Sequence, residues 1–210
     1  MKRINVLLGT EVFNKNILLS YWSILYENIK NLKNYNLDIN FYYSISEKLM
    51  DCDIIILSSR FFYKKNVENI QNILLILKDI NKKNSNIIWF DLRDSAGTTQ
   101  FEVMPYVKKY VKGQLYKNVN YYSQPMYGGR YYTNYYFLNN KISDDTAYEM
   151  TLLEKKYYSK LSLSWNIGTL RYDLRFSNLY KAASYSQILS KIFLRKNFTK
   201  FYNYNSFKKK

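Results

Sequence analysis

Four short apolar runs, with stretches of helical period after the first and third, constrain this chain more than any other feature. Ile4-Asn5-Val6-Leu7-Leu8 ends at Gly9-Thr10, and Ile39, Phe41 and Tyr43 alternate along a second run. Asp53-Ile54-Ile55-Ile56-Leu57 is continuous, and Asn86-Ile87-Ile88-Trp89-Phe90 is stopped by Asp91-Leu92-Arg93-Asp94-Ser95. A continuous apolar strand needs cover on both faces. Ile17, Leu18, Tyr21, Trp22, Leu25, Ile29 and Leu32 recur at helical spacing after the first run, and Val67, Ile70, Ile73, Leu74, Leu77 and Ile80 do so after the third. The alternation predicts an α/β fold, a Rossmann-like parallel sheet with helices on both faces. Its strands are expected near 4–8, 39–43, 53–58 and 86–91, and its helices near 17–33 and 66–82.

Beyond residue 100 the pattern changes. Pro105 can open a helix whose apolar side is Tyr106, Val107, Tyr110 and Val111, ending near Gly113. Residues 118–140 are Tyr-rich and read as a loop-like insertion. Asp144 to Leu161 reads as helical, Leu161 to Ile167 as a short core strand ending in a turn, and Leu179 to Phe193 as a last amphipathic helix. The division expected is a Rossmann-like domain over 1–174 and a basic helix and tail over 175–210.

Composition decides which chemistry is open to 210 residues of this kind. Histidine is absent and Cys52 is the single cysteine. Ser-His-Asp and Cys-His catalysis, histidine-ligated metals, zinc knuckles and disulfide frameworks are therefore excluded. Carboxylates, Lys, Arg, Tyr, hydroxyls and backbone amides remain, and Cys52 reads as a buried or partly buried thiol without a role. Lys+Arg number 32 against 16 Asp+Glu, a net charge of +16, and 24 residues are Tyr. No apolar stretch approaches the roughly 18 residues of a spanning helix, and the start does not read as a signal peptide, so a cytoplasmic protein is expected.

Two constellations could carry chemistry. In Asp91-Leu92-Arg93-Asp94-Ser95-Ala96-Gly97-Thr98-Thr99, two carboxylates, an Arg, three hydroxyls and a Gly follow a strand, where open α/β sheets bind ligands. Asp91 and Asp94 could hold a divalent ion on a diphosphate, or one could act as base on an acceptor hydroxyl. A plain turn competes with that, with Asp94-Ser95 capping and Arg93 pairing Asp91. In Tyr127-Gly128-Gly129-Arg130-Tyr131, adjacent glycines let backbone amides approach a ligand, and Arg130 could clamp phosphate or carboxylate; a flexible loop with an exposed Arg is the competing reading. Lys108, Lys109 and Lys112 among Tyr106, Tyr110 and Tyr116 could form a cationic aromatic face, or simply the solvated side of a helix. The Tyr121-Tyr122, Tyr131-Tyr132 and Tyr135-Tyr136 doublets could stack sugars or bases, though packing is the safer reading. Neither G-x-G-x-x-G nor G-x-x-x-x-G-K-[ST] occurs, which argues against dinucleotide dehydrogenases and P-loop enzymes.

The run Trp89-Phe90-Asp91-Leu92-Arg93-Asp94-Ser95-Ala96-Gly97-Thr98-Thr99-Gln100-Phe101-Glu102-Val103-Met104-Pro105-Tyr106-Val107, continued by Lys108 to Leu115, resembles a family of bacterial glycosyltransferases of surface-polysaccharide (O-antigen or capsule) clusters. Tyr127-Gly128-Gly129-Arg130 and Leu163-Ser164-Trp165-Asn166-Ile167-Gly168 fall where related segments are expected. The resemblance implies a GT-B architecture, with two Rossmann-like halves and the active site in the cleft between them. Such enzymes usually exceed 300 residues, so the resemblance leads us to expect an N-terminal, acceptor-side half, for which a second Rossmann-like half is a candidate partner. From their place after the fourth strand, Asp91 and Asp94 are expected as catalytic residues and Arg93, Ser95, Thr98, Thr99, Gly128, Gly129 and Arg130 as substrate-binding; the resemblance implies that the acidic pair serves the acceptor side or the cleft wall. It brings a nucleotide-sugar donor as substrate and a glycan or lipid-linked acceptor, with no cofactor; a divalent metal is not favoured.

Two other classes stay open: a non-catalytic α/β interaction domain, and a basic nucleic-acid-binding protein. Against the latter, nine Lys/Arg and no acid lie in residues 175–210, so the basic excess sits in a tail, and no nucleic-acid reading motif is present. The same tail suits peripheral attachment to an anionic inner-membrane face.

Overall fold

The computed structural model describes residues 1–8, 22, 24–25, 28–62, 69–93 and 95–165. Six parallel strands form one sheet in the order β2-β1-β3-β4-β5-β6. They are β1 (Lys2–Leu7), β2 (Leu37–Tyr42), β3 (Ile54–Ser58), β4 (Ile87–Asp91), β5 (Lys109–Lys112) and β6 (Leu161–Leu163). The first four lie within two residues of the expected positions, and the α/β class holds.

The period of two along each strand sorts side chains between two cores. Leu7, Ile55, Leu57, Ile87, Trp89 and Tyr110 face one side, and Val6, Ile39 and Phe90 face the other. The first face is covered by α4 (Ile70–Lys83), through Ile73, Ile76, Leu77 and Ile80, and by α2 (Glu47–Met50), through Leu49 and Met50. Both helices begin on a side-chain cap: Ser46 accepts from the Leu49 N–H and Asn69 from the Gln71 N–H. A short helix, α3 (Ser59–Phe62), follows β3 and stacks Phe62 on Trp89, ring centres 5.2 Å apart. The second face is covered by Trp22 and by Leu25, Ile29 and Leu32, the last two from α1 (Ile29–Asn34). Residues 17–21, 23, 26 and 27 of the helix expected over 17–33 lie outside the described residues, as do Gly9-Thr10, Val67 and everything beyond 165, including Leu179–Phe193 and the basic tail.

Four expectations beyond residue 100 are corrected. Residues 101–106 form a 3-10 helix that carries Pro105 and ends at Val107, which is extended at φ −119° and ψ 148°. The chain then runs as β5 where a continued helix was expected. Tyr110 and Val111 suit a strand, and the edge of β4 offers backbone partners that a surface helix would leave to water. Residues 118–140 are ordered as 3-10 turns at Val119–Ser123 and Tyr127–Gly129, followed by α5 (Tyr131–Asn140). Residues 144–154 are not helical, and a 3-10 helix covers Lys155–Lys160. That extended path lets the Leu153 N–H bond the Tyr122 carbonyl at 2.8 Å and buries the Leu153 side chain, contacts that outweigh helix propensity. Leu161–Leu163 is a strand as expected, but it is an edge strand added to β5, with Leu163 exposed where a core position was expected.

Candidate active site at the carboxyl ends of the sheet

Asp91 closes β4 and Lys112 closes β5, and the two are register partners in the ladder. Their side chains therefore project on the same face, beside Tyr110. All three are fully buried. Lys112 Nζ meets Asp91 Oδ2 at 3.0 Å, and the Tyr110 hydroxyl donates to the same oxygen. A buried ion pair persists only when its remaining donors and acceptors are filled. Here they are filled by the loop that follows β4. Asp91 Oδ1 accepts the Arg93 N–H at 3.0 Å, Lys112 Nζ donates to the Arg93 carbonyl at 3.1 Å, and the Tyr110 hydroxyl accepts the Gln100 N–H at 2.9 Å. Both ends of the 93–100 loop are thus tied to one buried cluster. Burial, the Asp91 charge and the hydrogen bond it accepts hold the Tyr110 phenol well above its usual range.

The loop is braced along its length. The Arg93 guanidinium donates to the Thr99 carbonyl at 2.6 Å, spanning the loop, and the Tyr148 hydroxyl donates to the same carbonyl at 2.9 Å. Ser95 and Thr98 hydroxyls lie 2.7 Å apart, and the Ser95 oxygen accepts the Thr98 N–H at 3.2 Å. The Ala96 carbonyl accepts from Tyr122 at 3.0 Å. From the end of β3, Ser59 Oγ accepts the Leu92 N–H at 3.0 Å. Burial raises the phenols of Tyr122 and Tyr148, and Arg93 partly offsets it at Tyr148.

The second constellation joins the first through two glycines. A Cβ on Gly97 would overlap the Gly129 carbonyl oxygen, so only glycine allows the two backbones this close. Gly129 itself sits at φ 64°, and a Cβ there would come within 2.5 Å of the Tyr148 ring. Tyr148 therefore touches Gly129 on one side and Arg93 and Thr99 on the other. Arg130, next in sequence, donates to the Tyr132 hydroxyl at 2.8 Å.

The structure thus places Asp91 at the end of β4 and Arg93, Ser95, Thr98 and Thr99 on the loop that follows, and it sets Gly129, flanked by Gly128 and Arg130, against that loop at Gly97. Asp94 lies outside the described residues. Asp91 has no exposed surface, and its partner is Lys112 where the turn reading expected Arg93. Arg93 turns its guanidinium to Thr99 instead. The Lys108-Lys109-Lys112 face is likewise corrected: Lys108 and Lys109 are exposed, while Lys112 and Tyr110 are interior because alternate strand positions point inward. Thr99 Oγ1 and Gln100 Oε1, at the end of the loop, are buried without a hydrogen-bond partner among the described residues.

Tyr148 is the member that the sequence pattern does not single out, whereas Tyr110, Lys112 and Tyr122 stand out in the sequence only as a possible surface face and a tyrosine doublet. A signal for Lys112 existed. Once β5 is recognised as a strand, Tyr110 and Lys112 share a face and Lys112 falls opposite Asp91. Cys52 is half-buried, donates to the Ile54 carbonyl at 3.2 Å, and has its thiol pushed up by burial, away from this site.

Among the described residues, no three Asp, Glu or Cys side chains gather to hold a metal ion, and no helix is long and apolar enough to cross a membrane. Comparison with protein-family models, with curated proteins and with solved structures found no match to this chain.

Proposed function

We propose that this chain is the acceptor-side, N-terminal half of a GT-B glycosyltransferase that moves a sugar from a nucleotide donor onto a growing surface polysaccharide at the inner face of the bacterial membrane. The observation that carries the reading is the braced 93–100 loop. It stands at the carboxyl ends of a parallel sheet, where ligands of α/β folds bind, and its backbone is fixed from within by a buried ion pair. A loop held at both ends and at four points between is preorganised, as a site that must place reacting atoms requires. The resemblance of residues 89–115 to glycosyltransferases supports the same assignment.

In this reading the two acids divide the work. Asp94, on the loop, takes the proton from the acceptor hydroxyl as that oxygen attacks the anomeric carbon and the nucleoside diphosphate departs. Asp91 touches no substrate and is a positioning residue: it holds the Arg93 N–H, while its partner Lys112 holds the Arg93 carbonyl. Arg93 and Arg130 supply the positive charge that binds the leaving diphosphate. Thr99 Oγ1 and Gln100 Oε1, without a partner among the described residues, suit sugar hydroxyls, since buried polar atoms are normally paired. The basic 175–210 segment holds the enzyme at the anionic leaflet. A second reading, a non-catalytic interaction domain, is favoured by one fact: the carboxylate of Asp91 is wholly consumed by internal contacts.

Saturation-transfer NMR with UDP-, GDP- and dTDP-sugars, together with transfer assays on the chain alone and with a candidate second Rossmann-like half, tests the assignment. Binding of one donor class, and transfer abolished by Asp94→Asn with an unchanged melting curve, is the expected result. Absence of binding and transfer in both preparations leaves the interaction domain as the function.

A further inference from the structure

Helix α5 has two unlike faces. Thr133, Asn134 and Phe137 turn inward: Phe137 stacks on Tyr127 with ring centres 4.0 Å apart, Asn134 accepts the Tyr127 N–H at 3.0 Å, and the Thr133 methyl lies over Gly128. Tyr131, Tyr132, Tyr135 and Tyr136 occupy the opposite side, within an arc of about 140° at helical spacing. Each is 51–56% exposed. Packing, the safer reading of these doublets in the sequence, does not account for them.

The four rings are held in place. Tyr131 lies against Tyr121 at 5.4 Å, and Tyr135 and Tyr136 meet edge to face at 5.5 Å. Arg130 holds Tyr132 by its hydroxyl. Each i,i+4 pair is separated by about 6 Å along the axis, a step comparable to the length of one sugar ring. Rings already ordered lose little freedom when they are covered.

The charge of the face selects its occupant. In a chain of net charge +16, the ten residues Tyr131–Asn140 include no Lys, Arg, Asp or Glu. A nucleic-acid platform interleaves its aromatics with phosphate-binding cations, and a membrane-surface helix carries a Lys/Arg-rich polar side. This helix has neither within its ten residues, and the cation just before it, Arg130, is engaged with the ring and hydroxyl of Tyr132. It offers aromatic faces, phenol hydroxyls and the exposed amides of Asn139 and Asn140. That mixture matches a ligand whose surface alternates C–H faces with hydroxyls and bears no charge.

We propose that the tyrosine face of α5 binds an uncharged glycan strand, with sugar rings stacked on Tyr131, Tyr132, Tyr135 and Tyr136. The proposal rests on the glycosyltransferase reading and deepens it by naming the chemistry of the acceptor. The Gly97–Gly129 contact ties the turn preceding α5 to the 93–100 loop, so a strand on this face runs beside the proposed transfer site.

The test uses the full chain, without nucleotide sugar, on a printed array of purified uncharged and anionic bacterial polysaccharides, with oligo-dT and phosphatidylglycerol vesicles as further probes. Expected is retention on at least one uncharged polysaccharide, insensitive to salt. Tyr131→Ser/Tyr135→Ser should weaken it about tenfold or more, and Tyr131→Phe/Tyr135→Phe should keep most of it. Melting of both variants should match the parent, because the substituted rings are exposed. The proposal is overturned by retention on no uncharged polysaccharide, by retention that survives the Ser pair, or by binding only to anionic glycans, oligo-dT or vesicles that falls steeply with salt. Donor binding without glycan retention overturns this proposal alone, and glycan retention without donor binding or transfer overturns only the enzyme assignment.

Discussion

The two ends of the parallel sheet treat charge in opposite ways. At the amino ends, Arg3 meets Asp51 at 3.1 Å with side chains 50% and 84% exposed, and the Arg3 N–H donates to the Asp53 carboxylate at 2.7 Å. At the carboxyl ends, Asp91 and Lys112 meet at 3.0 Å with no exposure at all. Water screens the first pair, so its net contribution is about 0–1 kcal/mol. The second pair has lost its hydration and must recover that cost through mutual attraction and further hydrogen bonds. A pair of apolar side chains would stabilise the same position as well. What apolar residues cannot do is grip the backbone of Arg93 on both sides. The difference locates the specialised end of the molecule: the charge at the carboxyl ends holds a loop in one conformation.

The sharpest way to break this comparison is to remove half of the buried pair. Lys112→Met leaves the Asp91 carboxylate buried without its cation, and we expect a loss of about 3–5 kcal/mol in urea denaturation. Asp91→Leu/Lys112→Met should recover most of that stability, yet leave the Arg93 N–H and carbonyl without partners. Hydrogen exchange at Arg93 and Gln100 would then be faster than in the parent although the global stability is close. A double variant as unstable as the single one, or one with unchanged exchange in the loop, would show that the pair does not serve to hold the loop.

The legibility of the sequence follows the same division. β1, β3 and β4 announce themselves because a buried parallel strand must be apolar on both faces, and α4 because a helix on a sheet needs one apolar stripe. β5 did not, because Lys109 and Lys112 interrupt its apolar run, and Lys112 is inside only because Asp91 is opposite. Its four residues therefore suit a short amphipathic helix equally well until the neighbouring strand is known. Tyr148 reaches the site from a segment whose spacing reads as helical. Its extended path is set by contacts made at residues 99, 122 and 129, far away in sequence. The Asp91–Thr99 segment and the Gly128-Gly129-Arg130 turn were legible as candidates because polar residues and glycines after strands have few reasons to be there. Their meeting through Gly97 and Gly129 is a tertiary fact that local pattern does not encode.

A smaller effect sharpens the comparison through pH. Burial raises the phenols of Tyr110, Tyr116, Tyr122 and Tyr148 above their ordinary value of 10.0, and all four lie at or next to the carboxyl end. The folded chain keeps these protons at a pH where the unfolded chain has released them. Stability is therefore complete below pH 10 or so and falls as pH rises through the raised values. A melting temperature that declines above about pH 10, with phenolate absorbance from these rings appearing only on unfolding, is the expected outcome. Tyr110→Phe should cost about 1–3 kcal/mol at neutral pH, since Gln100 loses its acceptor and Asp91 a donor, and should flatten the alkaline decline. Titration of all the tyrosines together near their ordinary value, with the fold intact, would contradict the tight packing of this end.

The smallest effect belongs to the amino ends. Arg3→Ala removes the guanidinium contacts to Asp51 Oδ2 and to the Asp51 carbonyl, 3.1 Å and 3.0 Å, but keeps the backbone N–H that donates to Asp53. Both side chains are largely in water, so neither is left buried and unpaired when the other goes. The Coulomb gain is screened, and holding the long Arg side chain in one rotamer costs entropy that the substitution returns. The expected change is below about 1 kcal/mol, shrinking further at high salt, with no change in exchange of the 93–100 loop. Salt should act the other way on the comparison at the carboxyl ends: the Lys112→Met penalty should be nearly the same at low and high ionic strength, because no ion reaches the buried pair. An Arg3→Ala loss as large as that of Lys112→Met, or a Lys112→Met penalty that salt erases, would make the two ends alike and remove the reason for assigning function to one of them.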